Sequence, residues 1–478
     1  MRRVIHTSTT IIFSILATFG VVDAQETKSM SPAELSQRSM ERRAVEALIW
    51  GMPAVNFDRM YQAMVRDAKG GEGSNKVVYW SRPLTWKNQT LTPNPDTIYL
   101  MPFFDTKDVG PVVLEIPPAD AGSITGSVDD CWQTAIEDVG PAGVDKGKGG
   151  KYLILPPGYK DAVPAGYIPM QSETYESYAL LRSNFQSATE TEIARAVAYG
   201  KRIKVYPLSQ AAHPAETQFI DAIDVVFDAT IPYDMRFYES LNRIVQIEPW
   251  LQRDRAMIDP LKSIGIEKGK PFKPDAASQD ILKQAALEAH AWFWPRFEQI
   301  IVPPFNEGKH WALPASPEFA KGIQTDYADP NSYPTDARGL SYSFAFFSAK
   351  HLGTGQYYLM TMKDNQGRLL DGSQTYRLNV PANAPVKLYW SAVAYDGETH
   401  ALIRNTQRSS RSSQTQGLQK NADGSADIYF GPKSPAGKES NWIPTSANGK
   451  FEVIFRFYGP EKPLFEKTWV LPDIARTD

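Results

Sequence analysis

The sequence predicts a mainly β protein with helical insertions, in which two jelly-roll or β-sandwich-like domains are joined by a helical segment. Short runs of apolar and β-branched residues, each closed by Pro, Gly, Asp or Asn, fill two separate stretches of the chain. Between these stretches, apolar residues recur at helical spacing. A chain of 478 residues is long enough for two or three domains, each with its own core.

The first 24 residues have the layout of a cleavable secretory signal. A basic start at Met1–Arg3 precedes an apolar run from Ile11 to Val22, and small residues follow at Val22 and Ala24. The apolar run is well short of the ~20 residues that a membrane span needs. We therefore expect cleavage near Ala24 and a soluble periplasmic or secreted protein, with an uncleaved anchor as the alternative.

The N-terminal domain is expected to cover residues 41–210, after a loose polar leader at 25–40. Its first part predicts helix, but Gly51 and Pro53 interrupt the apolar stripe, which favours two short helices or one kinked helix. Strands are predicted at Val77–Trp80, Ile98–Met101, Val112–Ile116 and Tyr152–Leu155. The glycine-rich stretch 140–151 reads as a mobile loop and lacks the spacing of a phosphate-binding loop.

The remaining chain divides into three parts. Residues 211–303 predict helices, from one apolar stripe that starts at Phe219 and ends at Phe227 and another from Ile281 to Phe297. Residues 304–340 are rich in Pro, Asp, Asn and Ser and are expected to connect the domains. Residues 341–478 predict a C-terminal β-sandwich, with strands at Tyr358–Met360, Leu388–Trp390, Ile428–Phe430 and Phe451–Phe457. In the last strand alternate residues from Phe451 share one face, as in a half-buried strand.

Charge and motif content narrow the function classes. The formal net charge of −3 gives no broad basic field, so nucleic acid is not an expected partner. The histidines have no zinc-site spacing and no dinucleotide-binding motif appears, so we expect no nucleotide cofactor. Cys131 is the only cysteine, which excludes an intramolecular disulfide. We expect a buried thiol there, with a reactive one as the alternative.

The first candidate site comprises Asn94, Asp96, Thr97 and Tyr99. Two prolines stiffen this turn before a predicted strand. Asp96 has the chemistry of a general base or of a metal ligand, and Asn94 and Tyr99 would bind or polarise a substrate beside it. The alternative is ordinary turn chemistry, in which Asp96 accepts hydrogen bonds from backbone N–H groups.

The second candidate comprises Asp130 and Trp132. If Asp130 met Asp96 in space, the two carboxylates would bind a divalent cation or divide acid and base roles. Because that depends on the fold, the metal stays unknown. The alternative is a solvated acidic turn next to a buried Trp132.

The third candidate lies in the C-terminal domain, where Arg404, Lys433, Asn441 and Trp442 come from polar loops. Cationic side chains from neighbouring loops would hold an anion, and the tryptophan would stack on a sugar or an aromatic ligand. The alternative is a solvated surface or an oligomer contact.

Two segments resemble known families. Trp50-Gly51-Met52-Pro53 and Thr92 to Tyr99 resemble domain of unknown function 1254, and Asn421 to Tyr458, with Tyr429–Lys433 and Asn441–Pro444, resembles domain of unknown function 1214. The resemblance implies two β-rich, jelly-roll-like domains joined by helices in a homo-oligomer, with no assigned biochemical function.

Two functions are therefore expected. The first is an exported hydrolase of small organic substrates with a carboxylate-centred site at Asp96, Asp130 and Tyr99. The alternative is a non-catalytic periplasmic ligand-binding or envelope protein, whose C-terminal loops recognise an anionic or sugar ligand.

Overall fold

The computed structural model describes residues 30–185, 187–300, 303–347, 349–351 and 355–477. The predicted signal at residues 1–24 lies outside them. The helices are α1 Pro32–Arg66, α2 Thr106–Val109, α3 Glu190–Gly200, α4 Met235–Ile247, α5 Ile258–Ser263, α6 Ala276–Ile300, α7 Pro317–Gln324, α8 Thr335–Phe344 and α9 Lys462–Phe465. No helix in these ranges has an apolar stretch long enough to cross a membrane.

Twenty strands accompany the helices within the described ranges. They are β1 Lys76–Tyr79, β2 Asn88–Gln89, β3 Ile98–Asp105, β4 Val112–Ile116, β5 Ile124–Asp130, β6 Ala135–Val139, β7 Gly150–Leu155, β8 Tyr167–Gln171, β9 Glu176–Ser183, β10 Lys204–Pro207, β11 Gln218–Asp221, β12 Phe227–Asp228, β13 Gln356–Thr361, β14 Tyr376–Val380, β15 Val386–Asp396, β16 Ser410–Ser412, β17 Ala426–Gly431, β18 Trp442–Pro444, β19 Phe451–Pro460 and β20 Ala475–Arg476.

Eighteen of these strands form two sandwiches, and β2 and β12 form a separate two-stranded sheet. In the N-terminal sandwich, the sheet β11-β1-β3-β9-β5-β6 packs on the sheet β10-β4-β7-β8 around one apolar core. In the C-terminal sandwich, β13-β19-β15-β16 packs on β18-β17-β14-β20 around another. Most pairings are antiparallel, which confirms the predicted β-rich class with helices, whereas the jelly-roll topology stays a prediction.

A third core lies between the two sandwiches. It contains residues from α1, α4, α6 and α8 together with the outer faces of β3 and β9 and of β19. Side chains alternate across a strand, so Ile98 and Leu100 enter the N-terminal core while Tyr99 and Met101 enter this helical layer. The sheets that face the helical layer are therefore covered on both sides.

The first helix begins earlier and runs longer than the sequence analysis predicted. Pro32 occupies the first turn, and Ser31 and Glu34 cap each other through their side chains and backbone N–H groups. The expected loose leader at 25–40 is therefore wrong from Pro32 onward. The helix also continues through Pro53, because neighbouring helices cover the point where a backbone hydrogen bond is missing.

One further expectation is corrected by tertiary pairing. The apolar stripe at 219–227 is not a helix, since β11 pairs with β1 at the edge of a sheet and β12 pairs with β2 in a separate two-stranded sheet. The connection at 304–340 contains α7 and most of α8, and α8 is buried against α1. The predicted strands in β1, β3, β4, β7, β13, β15, β17 and β19 are confirmed.

Candidate functional site

A cavity lies in the helical layer, where the two sandwiches face each other. Its walls include Thr92, Tyr99, Arg182, Phe346, Tyr358 and Arg456. The volume that the centre of a water molecule can occupy inside the cavity is about 60 Å³. Because one water molecule needs about 10–15 Å³ on that measure, the cavity has room for roughly five water-sized groups.

The N-terminal sandwich contributes an arginine and a tyrosine to this cavity. Tyr99 in β3 and Arg182 in β9 are directly opposite cross-strand partners. The guanidinium carbon of Arg182 lies 5.2 Å from the centroid of the Tyr99 ring, within the range of a cation–π contact. Only 9% of Arg182 is exposed, and its Nε has no hydrogen-bond partner among the described residues.

The C-terminal sandwich contributes the same pair of side chains. Tyr358 in β13 and Arg456 in β19 are also cross-strand partners, and the guanidinium carbon lies 5.0 Å from the ring centroid. Arg456 is 2% exposed and donates from one Nη atom to the carbonyl oxygen of Thr92 at 2.8 Å. Its Nε and its other Nη atom have no partner in the described part of the chain.

The tyrosines around the two guanidinium groups do not neutralise them. Tyr99, Tyr358 and Tyr458 are electrostatic neighbours of both Arg182 and Arg456, which places the two arginines around one set of rings. Burial raises the pKa of Tyr458, and that of Tyr395 beside Arg456, so these hydroxyls stay protonated and neutral. Guanidinium groups keep their charge in proteins, so the cavity wall is cationic.

Asp96 is an electrostatic neighbour of Arg456 but does not pair with it. One carboxylate oxygen of Asp96 accepts a hydrogen bond of 3.0 Å from the Ser410 hydroxyl, and the other has no partner among the described residues. Burial raises its pKa to about 6, although Ser410 and Arg456 act in the opposite direction. Asp96 therefore changes its protonation near pH 6, next to the cavity rather than in its wall.

The segment Thr92–Asp96 also joins the two sandwiches. The Asn94 side-chain amide donates to the hydroxyls of Tyr389 and Tyr458 at 3.1 and 2.6 Å. The Tyr395 hydroxyl donates to the Pro93 carbonyl at 2.6 Å. This segment was expected to be either a site or a turn; the structure shows a contact between the sandwiches that also forms part of the cavity wall.

The structure does not bring Asp96 and Asp130 together. Asp96 precedes Ile98, the first residue of β3. Asp130, at the end of β5, is level with Phe104 near the other end of β3, because both residues pair with Ser177 of the strand β9 that lies between them. Six residues of strand separate Ile98 from Phe104, or about 20 Å. The paired-carboxylate hypothesis is therefore wrong, because strand register puts the two carboxylates at opposite ends of the sheet.

Asp130 and Trp132 lie in a separate buried cluster. The Asp130 carboxylate accepts from the Thr134 N–H at 2.8 Å, and burial raises its pKa to about 6. The Trp132 ring packs on Trp50 with centroids 4.7 Å apart. The alternative of a solvated acidic turn is wrong, because Asp130 is buried, whereas the predicted burial of Trp132 is confirmed. Nearby, burial also raises the pKa of the Cys131 thiol, as expected for a buried cysteine.

The C-terminal candidates do not form one site. Arg404 forms an ion pair of 2.8 Å with Asp228 of the N-terminal half, and Lys433 is exposed. Asn441 is 2% exposed and bonds to backbone groups of Gln419 and Asp427. Trp442 donates to the Gly431 carbonyl at 2.9 Å. These contacts hold loops in place. The stated alternative of a solvated surface or an oligomer contact stays a prediction.

A metal site would need several ligating side chains close together. Within the described ranges, no group of three or more His, Cys, Asp or Glu side chains is arranged to hold a metal ion. Of these cavity residues, Tyr99 was predicted from the sequence, whereas Arg182, Tyr358 and Arg456 were not. Arg456 alternates with apolar residues in β19, a pattern that is also typical of the exposed face of a half-buried strand.

Two family models match the chain. The one described as Protein of unknown function (DUF1254) matches residues 74–207, and the one described as Protein of unknown function (DUF1214) matches residues 355–462. No curated protein matches. Tyr99 and Arg182 lie in the first match, and Tyr358 and Arg456 lie in the second.

The likeness in fold is shown by a solved structure with a TM-score above 0.5. The VPA0106 protein from Vibrio parahaemolyticus is 18% identical, with a TM-score of 0.55 over 92% of this chain and 100% of that chain. An uncharacterised protein from Burkholderia cenocepacia is 10% identical, with a TM-score of 0.41 over 93% and 95% of the two chains. The two family matches show a DUF1254 region at residues 74–207 followed by a DUF1214 region at residues 355–462.

Proposed function

We propose that this protein binds a small organic anion in the cavity between its two sandwiches. The observation that carries the proposal is the pair of buried arginines, one from each sandwich, that line the cavity without a carboxylate partner. An unpaired buried charge costs several kcal/mol, so such an arrangement is stable when a ligand supplies the opposite charge. Guanidinium groups suit this role because their N–H groups form a planar fork that matches a carboxylate.

The remaining polar groups of the cavity favour binding over reaction. Tyr99 and Tyr358 place their phenol rings beside the arginines, and the backbone carbonyl of Thr92 accepts a hydrogen bond from Arg456. None of these groups is a general base at neutral pH. The proposal corresponds to the binding alternative from the sequence, but at the interface of the sandwiches instead of at the C-terminal loops.

A hydrolase is the second proposal, and one observation favours it. The pKa of Asp96 is raised by burial to about 6, where a carboxyl group exchanges its proton near neutral pH. Asp96 lies beside the cavity residue Arg456, so a substrate held there would have a base within the same region. Turnover of esters or amides by the wild-type protein that is lost in Asp96→Asn would support this reading.

Export and self-association are part of the same proposal. The basic start, the apolar run to Val22 and the small residues to Ala24 support secretion of the chain. Mass spectrometry of the protein recovered from cells would then find Gln25 at the N-terminus. The homo-oligomer implied by the family resemblance would appear in size-exclusion chromatography with light scattering as a mass that is a multiple of the single chain.

Anion binding is tested by calorimetry on the chain from Gln25 onward, with a panel of carboxylates and inorganic anions. We expect one binding site per chain, and at least a ten-fold loss of affinity in Arg182→Gln and in Arg456→Gln, since hydrogen bonds to charged groups contribute about 1.5–3 kcal/mol. Arg182→Lys keeps the charge but loses the fork, so it should bind more weakly than wild type.

Arg404→Gln is the matched control, because Arg404 pairs with Asp228 at the surface and does not line the cavity. Its affinity should equal that of wild type. Circular dichroism shows whether each variant is folded. Equal affinity in Arg182→Gln, Arg456→Gln and the control would refute the proposal, as would a panel in which no anion binds the folded wild-type protein.

A further inference from the structure

We infer that the anion is a short monocarboxylate, whose carboxylate lies between Arg182 and Arg456 and whose apolar chain extends toward Leu180, Met101 and Ile454. This inference rests on the proposed function and names the ligand class for the same cavity.

The order of residues along the strands favours a ligand with a charged group and an apolar chain. On β9 the cavity residue next to Arg182 on the same face is Leu180, and on β19 the residue next to Arg456 is Ile454. On β3 Met101 follows Tyr99 in the same way. Two residues along a strand advance by about 6.6 Å. On each of these strands a polar residue of the cavity wall is therefore followed, about 6.6 Å along the strand, by an apolar one.

The composition of the cavity wall favours a ligand with a single charged group. Thirteen of its twenty residues are apolar, among them Phe344, Phe346 and Phe347. Phosphate and sulfate are polar on all sides, and burying their oxygens against such a wall without hydrogen bonds is unfavourable. A dicarboxylate would place its second charge beside Leu180 or Met101. A single carboxylate with an apolar chain matches both ends of the cavity.

The volume of the cavity limits the length of the ligand. Room for roughly five water-sized groups corresponds to a carboxylate with about two to four further carbon atoms. Longer chains would have to displace the phenylalanine side chains, which form part of the core between the sandwiches.

Calorimetry with the full mature chain and the series acetate, propionate, butyrate, valerate, hexanoate and octanoate tests this inference. Each added methylene group should raise the affinity about four-fold, the equivalent of about 0.8 kcal/mol, until the cavity is full. We expect the maximum at butyrate or valerate and at least a ten-fold loss at octanoate. The alcohol 1-butanol, which has no charge, should show no binding at the same concentrations.

A pair of neighbouring leucines provides a matched test of the position. Leu180 faces the cavity, whereas Leu181 faces the core of the N-terminal sandwich, and both are buried. Leu180→Ala should move the maximum by one or two carbon atoms toward longer chains. Leu181→Ala removes the same volume on the other face of the strand, so it should lower stability and leave the chain-length profile unchanged.

The outcomes separate this inference from the proposed function. If phosphate binds as tightly as butyrate, or if affinity does not depend on chain length, the ligand class is wrong while anion binding stands, provided that Arg456→Gln still abolishes it. If affinity peaks at the same ligand length in Leu180→Ala as in wild type, the apolar chain of the ligand does not extend along β9. If no anion binds, the proposed function fails and the ligand class fails with it.

Discussion

The backbone of Gly339 in α8 lies directly against the carbonyl oxygen of Ile49 in α1. A Cβ atom at position 339 would be 2.5 Å from that oxygen. In a regular helix the Ile49 carbonyl would accept from the N–H of residue 53, but Pro53 has none. The missing hydrogen bond and the close approach of α8 thus occur at the same carbonyl. Because α8 leads into Phe344–Phe347, this contact also positions one wall of the cavity.

Gly339→Ala is therefore expected to destabilise the protein by about 1–3 kcal/mol, since the added methyl group has no space and α8 must shift. Urea denaturation followed by circular dichroism measures the change. Gly355→Ala is the control, because no atom of the described residues lies within 4 Å of a Cβ built there. A variant of Gly339 as stable as the Gly355 variant would contradict the close packing of α8 on α1.

Asn94→Ala should lower the free energy of unfolding by about 2–4 kcal/mol. The substitution removes two donors to Tyr389 and Tyr458 and leaves their buried hydroxyls with fewer partners. It should also loosen the contact between the sandwiches, which limited proteolysis detects as faster cleavage. The exposed Asn448→Ala variant serves for comparison and should stay within about 0.5 kcal/mol of wild type.

The raised pKa of Asp96 predicts a specific dependence of stability on pH. The folded protein holds the Asp96 proton up to about pH 6, whereas an unfolded chain releases it near pH 3.9. The stabilisation from protonated Asp96 is thus fully present below about pH 4 and is lost as the pH rises through about 6. Asp96→Asn keeps a neutral group, so its stability relative to wild type should increase by about 3 kcal/mol between pH 4 and pH 7.

Denaturation curves at several pH values measure this difference, and Asp423→Asn provides the opposite case. The hydrogen bond from the Ser425 side chain lowers the pKa of Asp423, so its contribution is lost toward acid pH instead. The Asp423 variant should therefore lose stability relative to wild type as the pH rises. A flat difference curve for Asp96→Asn would show that its carboxyl group is not desolvated in the folded protein.

Two residues of the same C-terminal region should respond differently to alanine. Asn441→Ala should cost about 2–4 kcal/mol, because Asn441 is buried and bonds to the backbone of Gln419 and Asp427. Lys433→Ala should change stability by less than about 0.5 kcal/mol, because the side chain is exposed. Thermal denaturation distinguishes the two. Similar losses in both variants would mean that Lys433 makes a contact that its exposure does not indicate.

The strands were predictable because their signal is local. Alternating apolar residues and closing turns identify β3 and β19 without knowledge of their neighbours. The start of α1 also has a local signal, since Ser31, Pro32 and Glu34 form a capping sequence. The apolar stripe from Phe219 was misread because its partner β1 lies far away in the sequence, and pairing with that strand decided its structure.

The cavity could not be predicted in the same way. On β19, the face that carries Arg456 was expected to be exposed, because the sequence showed one apolar face and one polar face. The helical layer covers this second face, and no local pattern reports such a layer. The same limit applies to Asp96 and Asp130, whose separation depends on the register of β3, β9 and β5.

The matching pairs Tyr99–Arg182 and Tyr358–Arg456 have a consequence for the protein as a whole. Each sandwich alone has a single arginine of the two. A chain divided between the sandwiches would therefore separate the two guanidinium groups, and neither part would hold the complete pair. Capture of a ligand would then report the assembly of the entire molecule, and any change that separates the sandwiches would release it.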